Sequence, residues 1–145
     1  MLTAQLGLKP KVKEFLEGKI ELFIDSKFVP SLSGKTFETL NPATEEVLAV
    51  VSEAQEEDID LAVKAARRAF ESGPWPDMSA AERGRVIYKF ADLIEEHKEE
   101  LAQLEALDNG KPYAVALADD IPATVEQFRY YAGWATKILG QTVPI

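Results

Sequence analysis

The 145-residue chain contains no cysteine. Disulfides, thiolate metal sites and a cysteine nucleophile are therefore excluded among these residues. Histidine occurs once, at His97, between Ile94 and Leu101 of an apolar stripe. It reads as a packing or boundary residue rather than a ligand or base. The eight glycines are scattered, and none forms G-x-G-x-x-G or G-x-x-x-x-G-K-S/T. No stretch approaches the roughly 20 apolar residues of a membrane span. The first residues, MLTAQLGLKPKVKEFLEGK, lack a continuous apolar core and a small-residue cleavage signal. A secretory signal is not expected, and the cytoplasm is the expected compartment. Positive charge is scarce: 16 Lys and Arg against 25 Asp and Glu give a net charge of -9. That balance argues against nucleic-acid or anionic-membrane partners.

Hydrophobic residues make up 46% of the chain, enough for a core. Residues 1–19 read as a lysine-rich tail with weak helix, Val12, Phe15 and Leu16 sharing one face. Ile20 to Val29 reads as a hairpin broken at Asp25-Ser26-Lys27. Thr36 to Leu40 and Val47 to Val51 read as strands flanking the turn Asn41-Pro42-Ala43-Thr44. Helical spacing follows. Ile59, Ala62, Val63, Ala66 and Phe70 share a face, with Glu56, Glu57 and Asp58 in the first turn, where the dipole favours negative charge. A second helix opens on the capping box Ser79-Ala80-Ala81-Glu82 and carries Val86, Phe90, Leu93, Ile94, Leu101, Leu104 and Leu107. It stops at Asn109-Gly110-Lys111-Pro112. A third follows Asp120, with Pro122 in its first turn and Val125, Phe128, Ala132, Ala135, Ile138 and Leu139 on its apolar face. The chain by itself is thus α+β: short antiparallel strands, then three long helices. The acidic runs at 56–58, 95–96 and 119–120 read as solvated faces and caps. Trp75 reads as a loop anchor.

Several stretches, in order, resemble one family. They are Leu40-Asn41-Pro42-Ala43-Thr44, Asp58 to Phe70 (DIDLAVKAARRAF), Pro74-Trp75 and Met78 to Arg85 (MSAAERGR). They continue with Phe90 to Glu95 (FADLIE), Leu107 to Pro112 (LDNGKP), Arg129 to Ala135 (RYYAGWA) and Gly140 to Ile145 (GQTVPI). Residues 20–145 resemble the aldehyde dehydrogenase superfamily, in the branch of the mitochondrial, cytosolic and retinal enzymes and their bacterial relatives. The resemblance implies an α/β parent with a Rossmann-like cofactor domain, of which this chain supplies the first part. It also implies a homo-oligomer, dimer or tetramer, that uses NAD or NADP to oxidise a small-molecule aldehyde to an acid. In such enzymes a cysteine thiolate attacks the aldehyde, hydride passes to the nicotinamide, and a glutamate activates the hydrolytic water.

By the same resemblance, those groups and the cofactor fingerprint lie beyond Ile145. Ile145 is then not expected to be the natural end of a working member. No catalytic or cofactor-binding residue is assigned within the chain. Two other sites are implied. A structural monovalent cation would take the backbone carbonyls of Thr39 and Leu40 and the side chain of Asp108. The plain alternative is that Asp108 caps its helix. The last helix would line the aldehyde entrance, Ala123 facing it and Asp119 nearer the mouth. The segment Val143-Pro144-Ile145 would begin an oligomerisation hairpin. A different class of function, a noncatalytic helical interaction module that binds through an uncovered core face, remains the competing reading.

Overall fold

The computed structural model describes residues 7–140. The Val143-Pro144-Ile145 segment lies outside them. Helix α1 (Pro10–Glu17) starts on proline, whose missing N–H is no loss in a first turn. Strands β1 (Leu22–Ile24) and β2 (Lys27–Val29) pair antiparallel, with Leu22 opposite Val29 and Ile24 opposite Lys27. The two residues joining them, Asp25 and Ser26, have φ of 53° and 63°. Left-handed geometry at both positions matches the twist of a tight hairpin. Strands β3 (Thr36–Leu40) and β4 (Val47–Ser52) form a second hairpin. Its register slips between Thr39, opposite Ala49, and Leu40, opposite Val47, leaving Leu48 as the extra residue of a bulge. Asn41 closes the intervening loop: its Oδ1 accepts from the Ala43 N–H at 2.9 Å, and its N–H donates to the Glu46 carbonyl at 2.9 Å. Ile20 bridges to Val51.

The helical layer begins with α2 (Glu56–Ser72) and the single turn α3 (Pro74–Asp77). Helix α4 (Ala80–Glu96) has the expected capping box: Glu82 N–H donates to Ser79 Oγ at 3.3 Å, and Ser79 N–H to Glu82 Oε2 at 2.8 Å. The stripe from Ser79 to Leu107 is not one helix, as the spacing suggests. It breaks at His97, whose φ of -98° and ψ of 16° are not helical, and resumes as α5 (Lys98–Asn109). His97 donates its N–H to the Leu93 carbonyl and accepts from the Leu101 N–H, so both helices keep their terminal bonds while the chain turns. Hydrophobic spacing is blind to such a joint, because the stripe resumes in phase. Helix α5 ends at Gly110, with φ of 80°, where a Cβ would also lie 2.8 Å from Pro42 Cγ. The glycine is therefore required both by conformation and by space.

A three-residue helix α6 (Tyr113–Val115) and a π-helical turn (Ala116–Asp120) lead into α7 (Ile121–Trp134). The periodicity missed both short pieces. Helix α7 stops short of the expected face: Ala135, Ile138 and Leu139 lie beyond it, and Ile138 and Leu139 are 86% and 90% exposed. Ala135 is still half-buried against Gly84 of α4, whereas Gly133 weakens the last turn and Ile138 and Leu139 are left with little of their apolar surface covered.

Helix α4 packs on α7, the largest contact between helices. A Cβ on Gly84 would sit 2.8 Å from the Ala132 carbonyl oxygen, so the backbones approach there as closely as glycine allows. Phe90 meets Phe128 edge-on at 5.0 Å. Arg129 reaches back to Asp92 Oδ1 at 2.7 Å and Glu95 Oε2 at 2.6 Å. The fully buried apolar residues are mostly small, such as Ala91, Ala102 and Ala116, while Ile59, Val63, Phe70, Val86 and Leu93 stay exposed. No described helix is long and apolar enough to cross a membrane.

Candidate functional site

Between the second hairpin and helices α4, α5 and α7 lies an apolar groove of about 770 Å³, with Phe37, Leu48, Ile94 and Leu104 among its walls. Its polar end holds Thr39, Glu105 and Asp108. Here the structure joins two residues 69 positions apart: the Thr39 hydroxyl donates to Asp108 Oδ1 at 3.2 Å. Leu40 follows directly at the bulge. The contact shown is with the hydroxyl of Thr39, not with its carbonyl.

Asp108 is the penultimate residue of α5, and the helix end is closed by Gly110, whose N–H donates to the Ala106 carbonyl at 3.1 Å. A carboxylate cannot donate to the free carbonyls there, and the negative end of the dipole repels it. Asp108 is thus not a C-terminal cap. Its carboxylate is turned to the hairpin. An all-oxygen set from a carboxylate and a strand bulge suits a hard cation. Among the described residues there is no group of three or more His, Cys, Asp or Glu that would hold a metal by side chains.

A second groove, of about 510 Å³, runs along α7 and is lined by Glu105, Lys111, Asp120, Ala123, Thr124 and Gln127 among others. Ala123 and Gln127 share this wall, as a spacing of four on one helix requires. Asp119 is exposed on the π-helical turn and is not among the lining residues. Asp120 is, and its Oδ2 lies 2.6 Å from Lys111 Nζ. That hydrogen bond raises the lysine pKa against the opposing effect of desolvation. The sequence marks Lys111 only as part of a helix stop and Asp120 only as part of an acidic pair. Nothing local shows that they meet.

Asp58 is a further residue whose role the sequence understates. It is 2% exposed. Its carboxylate accepts from the N–H groups of Gln55 and Leu32 and from the Ser31 hydroxyl, all at 2.9 Å. The bond from Gln55, then that from Leu32, hold its pKa below the usual carboxylate range, with Ser31 adding to them and desolvation opposing. Asp58 thereby ties α2 to the loop after β2. Arg68 repeats the tie at the surface, reaching Asp25 Oδ1 at 2.8 Å.

Comparison with known proteins agrees with this architecture. Residues 28–145 match the model of the aldehyde dehydrogenase family. "Putative aldehyde dehydrogenase DhaS" of Bacillus subtilis (strain 168) is 56% identical over all 145 residues, which span 29% of its length. Mitochondrial aldehyde dehydrogenase family 2 member B4 of Arabidopsis thaliana is 60% identical over 124 residues, 86% of this chain and 23% of that protein. A solved Bacillus cereus aldehyde dehydrogenase in complex with NAD+ superposes with a TM-score of 0.92 at 74% identity, over 95% of this chain and 28% of its own. The chain thus spans less than a third of these relatives and corresponds to their N-terminal part. This chain belongs to the aldehyde dehydrogenase family.

Proposed function

We propose that these residues are the N-terminal part of an NAD-dependent enzyme that oxidises an aldehyde to a carboxylic acid. The observation that carries this is the 74% identity, over 95% of the chain, with the Bacillus cereus enzyme solved with NAD+. Bound nicotinamide would accept the hydride. The 145 residues hold no cysteine, so the thiolate of such chemistry is not among them. Their part is structural and selective. Asp108, with the carbonyls of Thr39 and Leu40, would hold a monovalent cation that fixes the β3–β4 hairpin to the end of α5. The carboxylate at the negative end of α5 supports this reading, since a cation relieves both. The groove under Ala123 would be the aldehyde entrance, with Asp119 farther out. The working protein would be a cytoplasmic homo-oligomer.

The test is the width of that entrance. In the full-length enzyme, Ala123→Met should lower kcat/KM for long or ring-bearing aldehydes relative to acetaldehyde. The expected change in the ratio is about tenfold or more, the size of a steric change worth about 1–3 kcal/mol in an apolar pocket. An unchanged ratio in a folded variant would show that the groove is not the entrance.

A further inference from the structure

Helix α1 and residues 7–9 precede residue 28, where the family model begins to match, and fall within the match to DhaS over all 145 residues. They are firmly seated. Val12 is 1% exposed. Gln103 of α5, 4% exposed, gives both ends of its amide to the backbone leading into α1. Its Oε1 accepts from the Lys9 N–H at 2.9 Å, and its Nε2 donates to the Gly7 carbonyl at 3.2 Å. One donor and one acceptor offered to residues two apart are what a neighbouring strand provides. Here a side chain provides them across more than ninety residues of sequence.

Charge lies around this contact. Lys9 pairs with Glu99, and Lys11 Nζ is 3.9 Å from Glu100 Oε1. The other oxygen of Glu100 lies 2.8 Å from His97 Nδ1, at the joint between α4 and α5. The lysine ends are well exposed, so these pairs add little by themselves. The buried amide is different: its two bonds to the arm are shielded from water, and losing its polar ends would leave the Lys9 N–H and the Gly7 carbonyl without these partners. On the apolar side, Phe15 and Leu16 wall the groove that ends at Thr39 and Asp108. Val12 and Phe15 wall an adjoining hollow of about 380 Å³ at the His97 joint.

We propose that residues 7–17 form a strap latched onto α5 by the Gln103 side chain. The strap closes one wall of the apolar groove and lies against the α4–α5 joint. It does so whatever chemistry the groove serves.

Amide hydrogen exchange in the intact protein tests this. Gln103→Leu keeps the bulk and removes both polar ends. Exchange over 10–17 should become about tenfold or more faster, with 80–96 and 121–134 unchanged, as for a segment that opens separately. Replacing Lys9 and Lys11 together by alanine should accelerate the same segment by less than about threefold. Gln103→Glu keeps an acceptor for Lys9 and loses the donor to Gly7, so it should fall between the two variants. Unchanged exchange over 10–17 in Gln103→Leu would overturn the proposal. Equal loosening of α4 and α7 would overturn it too, because Gln103 would then be an ordinary core residue. Should Gln103→Leu not fold, the same two outcomes are read from Gln103→Glu.

Discussion

Substituting Gly84 by alanine sets two effects against each other at one atom. In the interior of a helix, alanine is favoured over glycine by about 1 kcal/mol, because glycine loses more backbone freedom on folding. Propensity alone therefore predicts a more stable protein. Gly84 lies well inside α4, but its missing Cβ faces α7, where that atom would stand 2.8 Å from the Ala132 carbonyl oxygen. The neighbour is backbone and cannot rotate away. The helices would have to separate by several tenths of an ångström. That loosens the Phe90–Phe128 contact and the bonds from Arg129 to Asp92 and Glu95 at the same interface. Overpacking of this kind costs about 1–3 kcal/mol. Because the obstacle is a carbonyl in a paired helix, the cost should exceed the propensity gain and leave a net loss of about 1–2 kcal/mol. Gly133 is the internal control. It too is helical, in α7, and its Cβ would meet only Lys137 Nζ, at 3.6 Å. Gly133→Ala should gain about 0.5–1 kcal/mol. Thermal and urea unfolding of the intact protein read the two signs, and amide exchange over 80–96 and 121–134 places the effect. If Gly84→Ala raises the midpoint as Gly133→Ala does, the close approach of α4 and α7 is wrong.

Two further outcomes follow from the acids. Asp58 has its pKa lowered in the folded state by the Gln55 and Leu32 N–H groups. Its contribution is present above the unfolded-state value near 3.9 and is lost as pH falls through the lower folded value. Asp58→Asn should therefore lower the urea midpoint at neutral pH and flatten its decline below about pH 4; parallel wild-type and variant curves across that range would contradict this assignment. Asp108→Ala should lower the Tm in sodium or potassium buffer but not in a buffer of bulky organic cations, since a bound ion stabilises only the state that binds it. An equal loss in both buffers would remove the cation from the argument.

The elements that the sequence makes legible are those written in short-range chemistry. Ser79 and Glu82 stand three apart and cap α4 as expected. Asn41-Pro42 turns the β3–β4 hairpin, and Gly110 ends α5 in the left-handed conformation. The joint at His97 is illegible for a physical reason. Both flanking segments have good helical spacing, and the bonds that close the two helix ends at the break are made by backbone, which carries no sequence signature. The end of α7 at Trp134 fails differently. Periodicity lists apolar residues that could extend a face, but a face is helical only where something packs on it, and Ile138 and Leu139 are left almost fully exposed among the described residues.

The site residues divide along the same line, and two aspartates show why. Asp58 and Asp108 have the same side chain and lie near ends of helices. Asp58 occupies the third position of α2, where free N–H groups and the positive end of the dipole receive a carboxylate, and loop residues 31 and 32 complete its shell. Its environment satisfies it without an ion. Asp108 is next to last in α5, where carbonyls are the unpaired groups and the dipole opposes it. The single donor described for it is the Thr39 hydroxyl at 3.2 Å. The sequence presents each as an acid beside a helix boundary. Telling them apart requires knowing which end of the helix each occupies and what the distant hairpin brings to it. The first is readable from capping chemistry. The second is fixed only when β3 folds over α5, across 69 residues of chain. The meeting of the exposed Asp108 with Thr39 is thus a product of the tertiary fold, which local pattern does not show.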